Sequence, residues 1–288
     1  MLRLENVAYD LPDGAEIIKG INLTIKKGML TVVTGPNGGG KTTLAKLIAG
    51  LVQPSSGRIL FHKKDITRLN VTERARMGIA YGFQQPVRFK GLTVRELLEL
   101  AAGRPLKEKK ICGLLGKVGL CANEYVDREM SGTLSGGESK RIELATVLAR
   151  DAKLFIFDEP EAGIDLWSFS CLVETLEELR RQRTGTLLVI SHQERILSIA
   201  DEIIVLAEGR VRISGPRPLI LPDLLSDERA AQCRQPVCPA TAKAARDATA
   251  KAVRDATAKA DRDATAKADR DAAEGLLLGK TEEGARRT

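Results

Sequence analysis

"LTVVTGPNGGGKTTLAKLIAGL", residues 30–51, decides the fold of this 288-residue chain. Residues 30–34 form an apolar, β-branched run, the pattern of a buried strand. Residues 41–51 carry apolar side chains at helical spacing, closed by Gly50 and Pro54. Between them, "GPNGGGKT" (35–42) matches G-x-x-x-x-G-K-[ST], with the strand before it and the helix after it that this motif requires. Gly35, Gly38, Gly39 and Gly40 let successive backbone N–H groups turn toward one anion. The helix N-terminus adds about half a positive charge. Lys41 reaches the β- and γ-phosphates of a nucleotide and the Thr42 hydroxyl is placed to ligate Mg²⁺, with Pro36, Asn37 and Thr43 completing the loop.

Working outward, residues 1–34 alternate polar and apolar around the turn signal "DGAE", which predicts an antiparallel N-terminal β region. "GRILF" and "GIAYGF" read as further strands, and residues 93–150 read mostly as helix. "KLFIFDEP" (153–160) is a buried strand with acids at its end. An amphipathic helix, "LWSFSCLVETLEELRRQR", is followed by a second buried strand in "GTLLVISH" and a closing hairpin in "EIIVLAEGRVRISG". Strands alternating with helices predict an α/β domain with a mainly parallel sheet, its ligand beyond the carboxyl ends of the strands. Asp158 ends such a strand, where a buried carboxylate needs a cation, held directly or through water. Glu159 follows it and points differently, so it can take a proton from an attacking water.

The composition excludes several classes. Aromatics are 3% of the chain, too few for a stacking platform on single-stranded nucleic acid. The net charge of +7 is shared between body and tail, and no nucleic-acid partner is expected. Five irregularly spaced cysteines form no disulfide framework and fit a reducing compartment. No run approaches the ~18 apolar residues of a membrane span, and the N-terminus lacks a signal-peptide pattern. A cytoplasmic location is expected. Cys112, Cys121 and Cys171 are expected to be buried thiols, and Trp167 a packing residue. Cys233 and Cys238 have no further ligands nearby to make a metal site.

A second glycine turn, "LSGGESKR" (134–141), demands its own explanation. "GPNGGGKTT", "GFQQP", "LSGGE", "FIFDEP", "GID" and "ISH" occur in the order seen in ATP-binding cassette (ABC) ATPases, which residues 1–215 resemble. The resemblance implies a P-loop NTPase fold with a helical subdomain, ATP and Mg²⁺ as ligands, and ATP hydrolysis. It also implies that the second turn serves another copy's nucleotide. Ser135, Gly136, Gly137 and Glu138 would close over ATP held by a second cassette in a head-to-tail homodimer, with Asp165 at the seam. Gln84, rather than Gln85, would contact Mg²⁺ and the attacking water, His192 would contact the γ-phosphate, and Asp158 would join Thr42 at the metal. Tyr9 would stack on adenine, or serve as a core tyrosine. Gly39 stands where the family usually has Ser, and Glu138 where it usually has Gln.

The load on this motor is read from three short stretches. "LSGGESKRIE", "DEPEAGID" and "GFQQPVRFKGLT" are similar to the Suf-type iron–sulfur cluster assembly ATPase (SufC-like), which implies soluble scaffold proteins as partners. The alternative is the ATP-binding subunit of a membrane transporter, with a permease as partner. Either partner would grip the surface near residues 84–100. The cassette is expected over residues 1–230, with its helical subdomain at about 86–150, and a tail over 231–288. In the tail, "TAKAxRDA" repeats four times from Thr241 to Ala272. A period of eight rotates each repeat by about 80° on a helix, so no fixed apolar stripe forms. A solvated helix or disorder is expected there.

Overall fold

The computed structural model describes residues 1–232 apart from 86–88, 90, 131–133 and 184. The tail repeat, Cys233 and Cys238 lie outside the described residues, as do Pro86, Val87, Arg88 and Lys90 of the "GFQQPVRFKGLT" stretch. Met1–Leu225 form one compact unit.

β1 (Leu2–Asp10) buries Leu2, Leu4 and Val7, and β2 (Glu16–Ile25) returns antiparallel to it across the predicted turn. β3 (Leu30–Thr34) is buried at all five positions and feeds the phosphate loop and α1 (Lys41–Ala49). β4 (Ser56–Phe61) and β5 (Lys64–Asp65) complete a four-stranded antiparallel sheet of order β2-β1-β4-β5. After α2 (Val71–Arg76) and β6 (Ile79–Gly82) comes the helical region: α3 (Val94–Ala102), α4 (Glu108–Lys117), α5 (Ala122–Tyr125) and α6 (Gly136–Ala149). The chain closes with β7 (Leu154–Asp158), α7 (Leu166–Gln182), β8 (Thr186–Ile190), α8 (Glu194–Ser198), the hairpin β9 (Glu202–Ala207) and β10 (Arg210–Pro216), and α9 (Arg217–Gln232).

The second sheet has order β10-β9-β3-β8-β7-β6, parallel at every pairing except β9–β10. Its central strands are covered on both faces, which is why they read as unbroken apolar runs. Alternation along each strand divides the core in two. Phe155 and Phe157 join the helical region on one face, whereas Leu154 and Ile156 join α1 and the antiparallel sheet on the other. Arg74 of α2 is fully buried against the second core. Its guanidinium donates to the carbonyls of Leu47 and Ile48 at the end of α1 (2.5 and 3.0 Å) and to those of Thr67 and Leu69. It adds donors at the C-terminus of α1, where intrahelical N–H partners run out. Burial holds its pKa down to about 10.

The expected buried thiols are corrected: Cys112 and Cys121 are exposed and Cys171 is half-buried. Trp167 is 82% exposed instead of packed. The apolar stripe of α7 runs through Leu172 and Leu176, and Trp167 stands about 140° and 180° round the helix from them.

Candidate functional site

Because β3, β6, β7 and β8 run parallel, the loops that follow them leave the sheet at one edge. These loops carry residues 35–40, Phe83 with Gln84, Glu159 to Asp165, and Ser191 with His192. A hollow of about 360 Å³ opens there, lined by Ile17, Asn37, Gly40, Lys41, Thr42 and Thr43 with Gln84 and Glu159 among others.

The loop is shaped by its neighbours as much as by any ligand. Gly35 leaves β3 at φ 133°, and a β-carbon there would lie 2.1 Å from the carbonyl oxygen of Leu206. One at Gly39 would lie 2.8 Å from the same oxygen, and one at Gly40 2.8 Å from Ile18 Cδ1. Gly39 therefore supplies room rather than backbone freedom. Lys41, 7% exposed, donates from Nζ to the carbonyls of Gly35 (2.7 Å) and Pro36 (3.0 Å). Burial lowers its pKa, and the carboxylates of Glu159 and Asp158 oppose that shift.

Asp158 ends β7 and is 1% exposed. Its Oδ1 accepts from the Thr42 hydroxyl (3.1 Å) and its Oδ2 from the Tyr81 hydroxyl (2.8 Å). Burial raises its pKa, and these two hydrogen bonds pull it back. Next in the chain, Glu159 adopts φ 46°, a left-handed conformation costing on the order of 1 kcal/mol for a non-glycine residue. Its N–H donates to the Ile190 carbonyl (3.0 Å), and its carboxylate accepts from Gln84 Nε2 (2.7 Å).

A divalent cation would find the hydroxyl of Thr42, the carboxylate of Asp158 and the side-chain amide oxygen of Gln84. All are hard oxygen donors with a single carboxylate among them. That set suits Mg²⁺, which draws its remaining ligands from phosphates and water. Among the described residues no three His, Cys, Asp or Glu side chains gather into a cage for a metal alone.

The second glycine turn stands apart from this hollow. None of Ser135, Gly136, Gly137 or Asp165 lines it, nor do Tyr9 and His192. Ser135 is the N-cap of α6: its hydroxyl accepts from the Glu138 N–H (3.2 Å), and Glu138 Oε2 accepts from the Ser135 N–H (2.7 Å). The Tyr125 hydroxyl donates to the other oxygen of Glu138. Both carboxylate oxygens of Glu138 are thus engaged within the turn. Tyr125 first, then Ser135, holds its pKa down to about 2. A β-carbon at Gly136 would meet nothing within 4 Å, whereas one at Gly137 would lie 3.1 Å from the carbonyl oxygen of Gly163. The turn thus rests on the loop leading to Asp165, which caps α7 by accepting from the N–H groups of Trp167 and Ser168 (both 3.0 Å).

His192 is exposed, two residues past β8. Tyr9 is half-buried and packs against the second core, while Ile17 of the neighbouring strand lines the hollow in its stead. Sequence reasoning missed Ile17, which looks like any strand residue, and Tyr81, which grips Asp158. It also missed Glu161, whose carboxylate accepts from the buried Ser191 hydroxyl.

An anion loop with an invading lysine, a buried aspartate at a strand end, and a glutamate paired with a glutamine define a P-loop nucleoside triphosphatase. Residues 18–162 match the ABC transporter family, and the chain belongs to it. It is an ABC ATPase, built to bind and hydrolyse ATP. It is 41% identical over 208 residues to an uncharacterized ABC transporter ATP-binding protein of Methanocaldococcus jannaschii, covering 69% of this chain and 83% of that protein. It is 34% identical over 232 residues to an energy-coupling factor transporter ATP-binding protein of Methanosarcina acetivorans, covering 78% of this chain and 82% of that one. The dimeric structure of a bacterial ABC transporter cassette superposes with a TM-score of 0.69 at 25% identity, over 75% of this chain and 99% of that one.

Proposed function

We propose that this chain is the ATP-hydrolysing subunit of a membrane ABC transporter, a cassette over residues 1–230 that dimerises on ATP and moves a permease. One observation carries the coupling. Phe83 lines an apolar recess of about 350 Å³, with Tyr81, Phe89, Leu97, Leu100 and Met130, while the next residue, Gln84, lines the nucleotide hollow. A partner seated in that recess would act directly on the residue that holds Glu159. No helix among the described residues is long and apolar enough to cross a membrane, so the membrane-spanning part would belong to the partner.

In this reading the N–H groups of residues 35–43 and Lys41 hold the phosphates of ATP. Thr42, Gln84 and Asp158 would hold Mg²⁺, which when bound would offset the negative charge of the phosphates. Gln84 and His192 orient the water. Its oxygen bonds to the γ-phosphorus as the bond to the β–γ bridging oxygen breaks, and its proton passes to Glu159. ADP and inorganic phosphate result. Ser135, Gly136 and Gly137 of a second copy donate to the γ-phosphate, with Asp165 at the seam. The dimeric relative supports this arrangement.

The relatives' names favour the transporter over cluster assembly. A soluble Suf-type scaffold is the second reading, supported by the likeness of "LSGGESKRIE", "DEPEAGID" and "GFQQPVRFKGLT" to that ATPase. Tagged purification from native cells, with the soluble and detergent-solubilised fractions analysed separately by mass, separates the two. A polytopic membrane protein supports the transporter, and a soluble cluster-carrying partner replaces it with the scaffold. For the motor itself, Glu159→Gln should bind ATP, lose turnover by about 100-fold or more, and accumulate as a dimer in Mg-ATP. A variant that stays monomeric at saturating Mg-ATP would sink the sandwich.

A further inference from the structure

Two buried charges on α6 take part in no step described above. Lys140 is 1% exposed and Glu143 7%. They stand three residues apart on one helix face, with Lys140 Nζ 3.6 Å from Glu143 Oε2. That oxygen is buried and has no hydrogen-bond partner among the described residues. Both side chains turn to the same two residues of backbone. The Phe83 N–H donates to Glu143 Oε1 at 2.7 Å. Lys140 Nζ donates to the carbonyl of Phe83, and to that of Gln84 at 3.1 Å.

A buried ion pair is a poor source of stability, since apolar residues of similar volume often serve as well or better. This pair supplies direction instead: three bonds fix the backbone of a two-residue segment whose second side chain sits 2.7 Å from Glu159. The helix that carries the pair also begins at the second glycine turn. We propose that Lys140 and Glu143 are positioning residues for hydrolysis, holding Phe83 and Gln84 so that the Gln84 amide stays on Glu159. One rigid helix then sets the register between the turn offered to the other copy's ATP and the carboxylate of its own site. The inference rests on the roles given above to Gln84 and Glu159.

The test is a double-mutant cycle on the full chain, reading kcat and KM of Mg-ATPase activity and the Kd of a fluorescent ATP analogue. Lys140→Met keeps the stem and removes the charge. It should lower kcat about 10- to 100-fold and leave the analogue's Kd within about 2-fold, with Lys140→Arg recovering most of the loss. In a Gln84→Ala background the same change should cost less than about 2-fold, because the residue it positions is already gone. An unchanged kcat, or a full multiplicative loss on top of Gln84→Ala, overturns the proposal. Should Lys140→Met fail to melt cooperatively, Glu143→Met, which removes the acceptor of the Phe83 N–H, takes its place in the cycle, and full activity in that variant overturns the proposal equally. If Gln84→Ala alone turns over normally, the assigned role of Gln84 fails. If it is impaired while the pair variants are not, only the positioning role fails.

Discussion

In the turn at 35–40, a β-carbon at Gly35, Gly39 or Gly40 would run into Leu206 or Ile18 at 2.1 to 2.8 Å; in the turn at 135–137, a β-carbon at Gly136 would meet nothing within 4 Å. Both turns head a helix and both present backbone N–H groups. In the first, three of the four glycines answer to the chain's own β9 and β2 pressing against them, while Gly38 meets nothing within 4 Å and sits at φ 76°. The second keeps Gly136 although this fold leaves room for a side chain and a glycine favours helix less than alanine does. Under the proposed function, that bareness would serve the ATP of a second copy. Stability and activity should therefore come apart between the two turns.

The largest effect is expected at Gly35. Gly35→Ala places a methyl group on the Leu206 carbonyl and also requires φ 133° of an alanine. Unfolding in urea should show a loss of roughly 4 kcal/mol or no folded protein at all. At Gly136 the opposite is expected. Gly136→Val should unfold within about 0.5 kcal/mol of the parent, yet lose about 100-fold in turnover, the scale of a lost oxyanion donor. A stability loss at Gly136 matching that at Gly35 would erase the contrast. Mixing sharpens it further. Chains carrying Lys41→Ala and chains carrying Gly136→Val should each be nearly inactive alone. Mixed in equal amounts, half the dimers hold one intact site, so about a quarter of the parent rate should return. No recovery would mean that the second turn acts in its own subunit.

The part of the site built from contiguous residues is legible in the sequence alone. The strand-loop-helix stretch at 30–51 and "FIFDEP" each join a hydrophobic period to a chemical group at its end, and both fall at the expected sheet edge. Pairings across the fold are not legible in this way. "ESKRIE" reads as the solvated face of a helix, because four of its six residues are charged. Only the packing of α3, α4 and β6 against α6 shows Lys140 and Glu143 to be buried. The sequence does hold a clue: Lys140 and Glu143 share a helical face with the apolar Leu144 and Val147, where a paired charge signals a buried partner. Trp167 misleads for the converse reason. An aromatic residue at the head of an amphipathic helix invites a packing role, yet it lies off the stripe. Gly39 is legible as a departure from the family but not in its cause, which is a strand more than 160 residues away in sequence.

The smallest effect concerns how each turn is held. Packing against β9 and β2, with Lys41 bonded to its carbonyls, holds the first, whereas a carboxylate holds the second, that of Glu138 bonded to Ser135 and Tyr125. These bonds, that of Tyr125 first, hold the Glu138 pKa down to about 2, below its ordinary 4.5. A carboxylate with a depressed pKa stabilises the fold fully above its unfolded value, and that contribution fades as the pH falls from 4.5 through about 2. Discounted for its partial exposure to water, the contribution should be about 1 kcal/mol. Comparing the parent chain with Glu138→Gln in urea at pH 7, 5, 4 and 3 isolates it, because the other carboxylates titrate alike in both. The gap between the two should narrow steadily below pH 4.5. A gap that stays constant to pH 3 would show the ionised carboxylate to be dispensable to the cap, and would place the two turns under the same kind of control.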